Sequence, residues 1–464
     1  MTASQKKFNP ALIPVIFTLA WPTMLEQFMS VAVQYIDTAM VGSLGTYATA
    51  AVGSTTTVNW LVGSTISAMS VGFLAYISQA KGAEDYDRVH KASAQSVLIV
   101  LIAGILFTVV TASLSQMVPV WMQVDPSLRQ IAGQYFLILY LPMLFRAATT
   151  VFSTVLRAIG DTKTPMKNGV IVNIANVVMN FLLIYQPRTL HIFGLSVPMW
   201  GAGMGVIGAA VASALAFVLG GILITVKLFR QPEVSPLGWS MKPDKEVLVP
   251  CLRIALPNML QRFATSFGYV IFASMINSLG GLSTASHTIA NTVESAFYIP
   301  GYGMMTAAAT LTGNAIGARD RERLKQMPVM IIFCEVSMMI ISGTLLFLFA
   351  PDMVSVFSHD PDVIALCSKV LRMVACSEPF YGISIVIEGM LMGAGQTKVP
   401  FILNVSGMWC IRILGTFLCI HVFHLGLISA WVCMISHNMA VFVCYLLYYK
   451  RGTWNPIREE AVSN

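Results

Sequence analysis

The chain has few charged residues and lacks the short motifs by which soluble enzymes are recognised. Only 11% of its residues are charged and 56% are hydrophobic, whereas soluble proteins contain about 25% charged residues. There is no P-loop, Ser/His/Asp arrangement or cluster of metal ligands, and the eight cysteines never form C-x-x-C. The cysteines are interpreted as small core residues. The sequence therefore predicts an all-α polytopic membrane protein without a metal or cofactor.

Twelve apolar runs are long enough to cross a bilayer as helices, which takes about 20 residues each. They are residues 11–41, 48–79, 93–118, 131–156, 166–185, 200–229, 247–277, 285–316, 328–350, 363–391, 400–422 and 425–449. With both termini cytoplasmic, most of the 28 Lys and Arg residues fall in cytoplasmic segments, in agreement with the positive-inside rule. The exceptions on the outer side are Arg129, Arg188, Lys369 and Arg372. Membrane topology thus explains the net charge of +7, and no nucleic-acid partner is expected.

The second half of the chain repeats the first in one constant register. This repeat register aligns Pro22 with Pro257, and it aligns the loop GDTKTP at 160–165 with GQTKVP at 395–400. Each half holds six runs, so both begin on the same side, related by a pseudo-two-fold axis along the membrane normal. The repeat predicts an N-terminal lobe, a polar linker and a C-terminal lobe, at 1–229, 230–246 and 247–464. Two such lobes enclose a cavity where transporters of this build bind substrate, which favours a carrier.

The first run carries two carboxylates, Glu26 and Asp37, inside an apolar segment. Their spacing of eleven residues is about three helical turns, so both project with Ser30 along nearly one stripe. A carboxylate that faces lipid is costly, and intramembrane acids are therefore functional-site candidates. The alternative is that Asp37 lies near the membrane surface and is simply solvated.

The fifth run places Asn173, Asn176 and Asn180 on one helix face, at positions i, i+3 and i+7. Hydrogen bonds between helices would by themselves explain these amides. Counted from the outer loops at about 1.5 Å per residue, Asn180 and Asp37 reach a similar depth. A carboxylate and amides at one level predict a site for a proton or a small cation.

Seven further charged residues lie well inside the predicted spans. They are Glu294, Glu335, Glu378, Glu388, Arg146, Arg262 and Arg412. Buried charges of opposite sign are expected to pair, which is our interpretation of Glu335 and the three arginines. The candidates for attracting a cationic substrate to the cavity are Glu26, Glu294 and Glu378.

Several of these motifs together resemble the multidrug and toxic compound extrusion (MATE) transporters. They are Pro22 followed after fourteen residues by DTAMVGSLG, its repeat at Pro257, the GDTKTP and GQTKVP loops, and GVIGAAVAS at 205–213. The resemblance implies twelve transmembrane helices in two six-helix lobes with a V-shaped arrangement, and a hinge in the first helix at Pro22. It also implies a monomer in the plasma membrane that exports small amphipathic, cationic organic compounds by antiport against protons or sodium ions.

The same resemblance assigns roles to individual polar residues. It implies that Asp37 carries the coupling ion. The supporting positions are Asn176 and Asn180 in the fifth helix and Ser213 in the sixth. Some members have an acid at the position of Asn180, and sodium-coupled relatives have a glutamate eight residues after the seventh-helix proline, where this chain has Thr265. Since the site carries less negative charge, protons are expected to be favoured over sodium.

Two other functions stay open on the sequence alone. A flippase for a lipid-linked saccharide belongs to the wider superfamily with this duplicated build, but its cavity would be richer in arginine. A membrane-embedded enzyme would need a convergent catalytic set at one depth, and the sequence shows none.

Cysteine labelling tests the predicted topology. In a background without the eight native cysteines, single cysteines beside Lys81, Lys163 and Arg321 are expected to react with a membrane-impermeant reagent only after permeabilisation, because these loops are assigned to the cytoplasm. A cysteine beside Arg188 is the external control and reacts in intact cells. Labelling of the three loops from outside would reverse the orientation.

Overall fold

The computed structural model describes residues 8–45, 48, 51–52, 56–122, 124–192 and 195–459 of the 464-residue chain, and these residues are mostly helical. The helices of more than four residues in the first half are α1 (Ile13–Gly42), α2 (Thr56–Gly82), α3 (Tyr86–Leu114), α4 (Arg129–Tyr140), α5 (Met143–Ala158), α6 (Lys163–Ile184) and α7 (Gly205–Arg230). Those of the second half are α8 (Lys245–Asn277), α9 (Gly281–Phe297), α10 (Ile299–Gly317), α11 (Arg321–Ser355), α12 (Pro361–Ala375), α13 (Glu378–Gly393), α14 (Lys398–Val422) and α15 (Leu427–Arg451). An antiparallel hairpin of β1 (Arg188–Ile192) and β2 (Leu195–Met199) joins α6 to α7, and the sequence analysis did not predict it.

Many of the described helices have the length and composition of membrane spans. Among the described residues, eight are long and apolar enough to cross a bilayer, namely α1, α2, α3, α6, α7, α11, α14 and α15. Two bent pairs raise this number to ten if each pair is one span: α4 with α5 is bent by 48° and α12 with α13 by 55°. The seventh and eighth predicted runs correspond to α8 and to α9 with α10, and the total of twelve spans stays a prediction.

The chain forms two compact units, and α1 and α2 contribute to both. One unit contains the chain up to Met24, Leu74–Asp85 and the chain from Val249 onward. The other contains Leu25–Phe73 and Tyr86–Leu248. The first unit holds two apolar cores, one built largely by α10, α11 and α13 and the other around Trp431. The lobe boundaries predicted from the repeat are not the boundaries of these units, and they stay a prediction.

Backbone geometry recurs in the repeat register. Three pairs of residues with positive φ angles are related by it: Gly45 (106°) and Gly280 (94°), Glu84 (57°) and Arg319 (53°), and Gly160 (91°) and Gly395 (76°). The bends of the two helix pairs also fall at equivalent points, after Tyr140 and Ala375. Positive φ is uncommon for residues other than glycine, so its recurrence at Glu84 and Arg319 indicates a duplicated backbone.

The last turns of α2 and α10 cross where glycine allows the two backbones to touch. A Cβ atom on Gly82 would overlap the carbonyl oxygen of Asn314, and one on Gly317 would overlap that of Gln79. Each contact is the copy of the other, because the repeat register aligns Gln79 with Asn314 and Gly82 with Gly317. Small residues permit this close approach of helices in membranes.

Alanine substitution tests the tightness of this crossing. Alanine stabilises a helix interior relative to glycine by about 0.5–1 kcal/mol. Here, however, the added methyl group meets backbone atoms, and such overpacking costs about 1–3 kcal/mol. We therefore expect Gly82→Ala and Gly317→Ala to lower the melting temperature of the detergent-purified protein. Gly281→Ala is the control, because no atom lies within 4 Å of its Cβ position; melting temperatures equal to the control's would refute the close crossing.

Candidate functional site

A cavity of about 300 Å³ lies among helices α1, α2, α4, α5, α6 and α7. From α1, it is lined by Ser30, Gln34 and Asp37. These residues share a face because they are three or four positions apart in one helix. Asn176 of α6 and Ser213 of α7 lie in the facing wall. A volume of this size is at the lower end of the about 300–1,000 Å³ typical of small-molecule sites.

Asp37 is half-buried and accepts hydrogen bonds from amides of α6. Asn180 donates from Nδ2 to Asp37 Oδ1 at 2.6 Å. Asn176 places one amide atom 2.9 Å from Asp37 Oδ1 and 3.1 Å from Oδ2. When Asp37 is charged this atom is the amide nitrogen, because an oxygen there would face a second acceptor. The four-residue spacing of the two asparagines lets α6 present both amides to one carboxylate.

Ser213 extends the hydrogen-bond network into α7. With the Asn176 nitrogen towards Asp37, the Ser213 hydroxyl donates to Asn176 Oδ1 at 3.1 Å. With the amide reversed, Asn176 Nδ2 donates to Ser213 Oγ at 3.1 Å. A hydroxyl both donates and accepts, so it satisfies either orientation. The structure thus brings together the four residues predicted to couple an ion, while the coupling itself stays a prediction.

The cavity also contains a cation that sequence reasoning did not place there. The Arg146 guanidinium of α5 lies 5.0 Å from the ring centroid of Phe217 and 5.7 Å from that of Tyr140. Arg146 Nη1 donates to Asn59 Oδ1 at 3.4 Å, and the Tyr140 hydroxyl donates to the same oxygen. No helical spacing signals this cluster, because its residues come from four different helices.

Glu26, a predicted substrate residue, is not among the residues that line this cavity. Its Oε2 accepts a hydrogen bond from Arg157 Nη2 at 2.5 Å, which makes an ion pair between α1 and α5. Gly169 of α6 packs beside it, with its Cβ position 3.2 Å from Glu26 Cγ. The structure therefore provides a partner for this charge, and contact between Glu26 and a substrate is left as a prediction.

The predicted substrate acids of the second half are closed off from solvent. The side chains of Glu294 and Glu378 are 3% and 1% exposed. Glu294 accepts a hydrogen bond from the Tyr298 hydroxyl. Neither carboxyl oxygen of Glu378 has a hydrogen-bond partner among the described residues, and the same holds for the buried Glu335. Glu294 and Glu378 thus offer almost no surface to a substrate in this structure.

The expected pairing of intramembrane charges is wrong for the part of the chain that the structure describes. Arg412 lies 5.2 and 5.5 Å from the rings of Tyr269 and Phe272, and no carboxylate of the described residues lies within 4 Å of its guanidinium. Within the same described ranges, no carboxylate lies within that distance of Arg146 or Arg262 either. Glu388 accepts hydrogen bonds from the side chains of Gln261 and Asn404 at 2.9 and 3.2 Å. Aromatic faces lie beside Arg146 and Arg412, and amides lie beside Glu388, in place of opposite charges. Both kinds of group are recognised partners of buried ions.

The predicted hinge residue, Pro22, lies inside α1 and does not end it. The helix continues from Ile13 to Gly42. Proline inside a membrane helix is tolerated because neighbouring groups re-satisfy the freed backbone. A bending role for Pro22 is therefore still a prediction.

The Asp37 network occurs once in the duplicated chain. In the repeat register, the positions of Asp37, Asn176 and Asn180 are occupied by Phe272, Ile411 and Gly415. Among the residues described, no three His, Cys, Asp or Glu side chains are grouped to hold a metal ion. A single carboxylate held by amides and open to a cavity can exchange a proton or bind a monovalent cation.

Comparison with known proteins agrees with the duplicated architecture. The MatE family model matches the chain twice, over residues 22–182 and 257–418, and the two matches begin at the prolines that the internal repeat aligns. The chain is 27% identical over 459 residues to the probable multidrug resistance protein NorM of Thermotoga maritima, which covers 97% of this chain and 94% of that protein. It is 24% identical over 451 residues to multidrug and toxin extrusion protein 1 of Mus musculus, covering 96% of this chain and 76% of that protein.

A solved structure shows the same fold. It is described as the outward-facing conformation of a multidrug resistance MATE family transporter of the MOP superfamily. The TM-score is 0.86 at 23% identity, and the match covers 96% of each chain. Because the family model matches most of the sequence, in both halves, the chain belongs to the MatE family and is a multi-span membrane transporter rather than an enzyme.

Proposed function

We propose that this transporter exports small amphipathic compounds with a cationic group in exchange for protons, and that Asp37 carries the exchanged proton. The observation that carries the proposal is a carboxyl group that faces a cavity and is held by two amides. The names of the relatives, a multidrug resistance protein and a toxin extrusion protein, support export of varied organic compounds.

The proton and the cationic group of the substrate compete for the carboxyl group of Asp37, and this competition couples proton entry to substrate export. Charged Asp37 attracts the cationic group of a substrate into the cavity. Protonation removes this attraction, and the new hydroxyl can donate to Asn176 Oδ1 if the amide takes the orientation in which its nitrogen donates to Ser213. Asp37 and Asn176 keep a hydrogen bond to each other in both states, while the charge of the cavity changes by one unit. Linkage then requires that a bound proton weakens substrate binding and that substrate promotes proton release.

The geometry around Asp37 supports a proton over a sodium ion. Hard cations need several oxygen ligands, but the atom of Asn180 that faces Asp37 is its amide nitrogen. Thr265, at the position where the family resemblance implies a glutamate in sodium-coupled members, donates its hydroxyl to the Gln261 carbonyl of its own helix at 2.8 Å. Among the described residues that line the cavity, Asp37 is the one negative group.

The transporter acts as a monomer in the plasma membrane. Both of its termini are cytoplasmic, and the distribution of Lys and Arg supports this orientation. The flippase alternative gains no support from the cavity. Arg146 is the one cationic residue among the described residues of its lining, whereas a phosphate-bearing saccharide would require several.

Neutralising the charge of Asp37 distinguishes a role in proton-coupled export from a role in folding. In cells that lack their own pumps, Asp37→Asn is expected to reach the membrane normally but to reduce drug export to the level of an empty vector, because an amide of similar shape cannot exchange a proton. Asn180→Ala is expected to reduce export less, since Asn176 still contacts the carboxylate. Asp125→Asn, the same change on an exposed loop residue, is the control. Wild-type export by Asp37→Asn at equal expression would refute the role of Asp37.

The coupling ion is tested in proteoliposomes. An imposed pH gradient without sodium is expected to drive transport of a cationic dye, because protonation and deprotonation of Asp37 need no other ion. A protonophore that collapses the gradient should stop transport. Asp37→Asn liposomes, prepared in parallel, control for passive dye movement. Transport that ignores the pH gradient and follows a sodium gradient would contradict proton antiport.

A further inference from the structure

The cavity that contains Asp37 also contains a cation that is not paired with an acid. Arg146 and Asp37 line the same cavity of about 300 Å³, but they form no ion pair, since no carboxylate oxygen of the described residues lies within 4 Å of the guanidinium. A site that binds only cations would need negative groups alone, whereas this cavity has one negative and one positive group at separate points. The two groups suggest that two charges of one ligand are recognised.

Aromatic rings and a glycine set the position of the guanidinium. The rings of Tyr140 and Phe217, from α4 and α7, lie 5.7 and 5.0 Å from it, at distances typical of cation–π contacts. On α2, Gly63 leaves space for the group, because a Cβ atom there would lie 3.0 Å from Arg146 Nη2. The guanidinium is thus held in place, which lowers the entropic cost of binding a ligand to it.

The hydrogen-bonding capacity of Arg146 is largely unused. Arginine has five N–H donors in a fixed fork. Nη1 donates to Asn59 Oδ1 at 3.4 Å, and this oxygen is shared with the Tyr140 hydroxyl, which itself interacts with the guanidinium. A bond of that length is weaker than a charge-assisted bond at about 2.7–2.9 Å. The fork therefore retains donors for a planar acceptor such as a carboxylate.

A purely structural arginine would show a different environment. Arg157, on the same helix α5, is paired with Glu26 at 2.5 Å. Arg412, in the other unit, is 3% exposed and enclosed by protein. Arg146 has neither an acidic partner among the described residues nor full enclosure, because it lines a cavity. Its surroundings are those of a binding residue.

We propose that Arg146 binds an acidic group of the substrate, so that the cavity takes amphipathic compounds that carry a carboxylate as well as a cationic group. This inference rests on the proposed function and assigns recognition of the acidic end of a substrate to one residue, Arg146. The carboxylate of the ligand lies in the fork of Arg146, while its cationic group approaches Asp37. Protonation of Asp37 then loosens the cationic end, and Arg146 determines which substrates are bound.

Two forms of one dye test the proposal by direct binding. The ligands are a rhodamine with a free carboxylate and the methyl ester of the same rhodamine, which differ in the acidic group alone. Fluorescence polarisation with purified protein measures both affinities without any ion gradient. Arg146→Gln is expected to weaken binding of the carboxylate form about tenfold or more, the loss expected for a charge-assisted hydrogen-bonded pair, and to change ester binding less than about twofold. Arg146→Lys should restore part of the carboxylate affinity, since it keeps the charge without the fork.

The controls separate this proposal from a folding effect and from the proposed function. Arg230→Gln removes an exposed arginine at the end of α7 and should bind both dyes as wild type does. Retained ester binding by Arg146→Gln shows that the cavity is intact. An equal loss of both dyes, or carboxylate binding by Arg146→Gln that is as tight as in wild type, would overturn the role of Arg146. Because the assay needs no gradient, failure of proton antiport leaves its result unchanged, and the two proposals fail separately.

Discussion

A carboxylate inside a membrane is the constraint on which the arrangement of the first half depends. Asp37 would be costly among lipid chains, and two amides on one face of α6 offset that cost by donating to it. Asn176 and Asn180 are themselves buried, at 6% and 1% exposure, so they need these partners as much as the carboxylate does. The contact holds α1 against α6, and Ser213 extends it to α7. One charge is thereby fixed in position and still reached from a cavity, which is the condition for exchange of a proton under the proposed function.

The two halves of the duplicated chain share turns and close helix contacts, but only the first half has the polar network around Asp37. Turns with positive φ recur at Glu84 and Arg319, and the glycines at the α2–α10 crossing make mirrored contacts. The backbone conformation and the close helix packing at these positions are therefore the same in the two halves. The polar network is different, since Phe272 stands at the position of Asp37. Under the proposed function, the transporter couples its movement to a single titrating group that is present in the first half only.

Sequence reasoning succeeded where a property belongs to one helix. Spacing along α6 predicted that Asn176 and Asn180 share a face, and counting depth predicted that they approach Asp37. The ion pair of Arg157 with Glu26 joins residues 131 positions apart, and the contact of Arg146 with Asn59 joins residues 87 apart. Such contacts depend on which helices pack against each other, and the spacing of residues along one helix does not predict that packing. The rule that buried charges pair was wrong for Arg412 because aromatic rings took the place of an acid.

Proton release on substrate binding tests the central claim most directly. Purified protein in weakly buffered detergent solution is mixed with the rhodamine ester across a range of pH, and a pH-sensitive dye records the protons released. If substrate and proton compete for Asp37, wild type releases protons in proportion to the ligand bound, and Asp37→Asn binds without release. Equal release from both proteins, or binding that releases none and instead depends on sodium, would contradict the account.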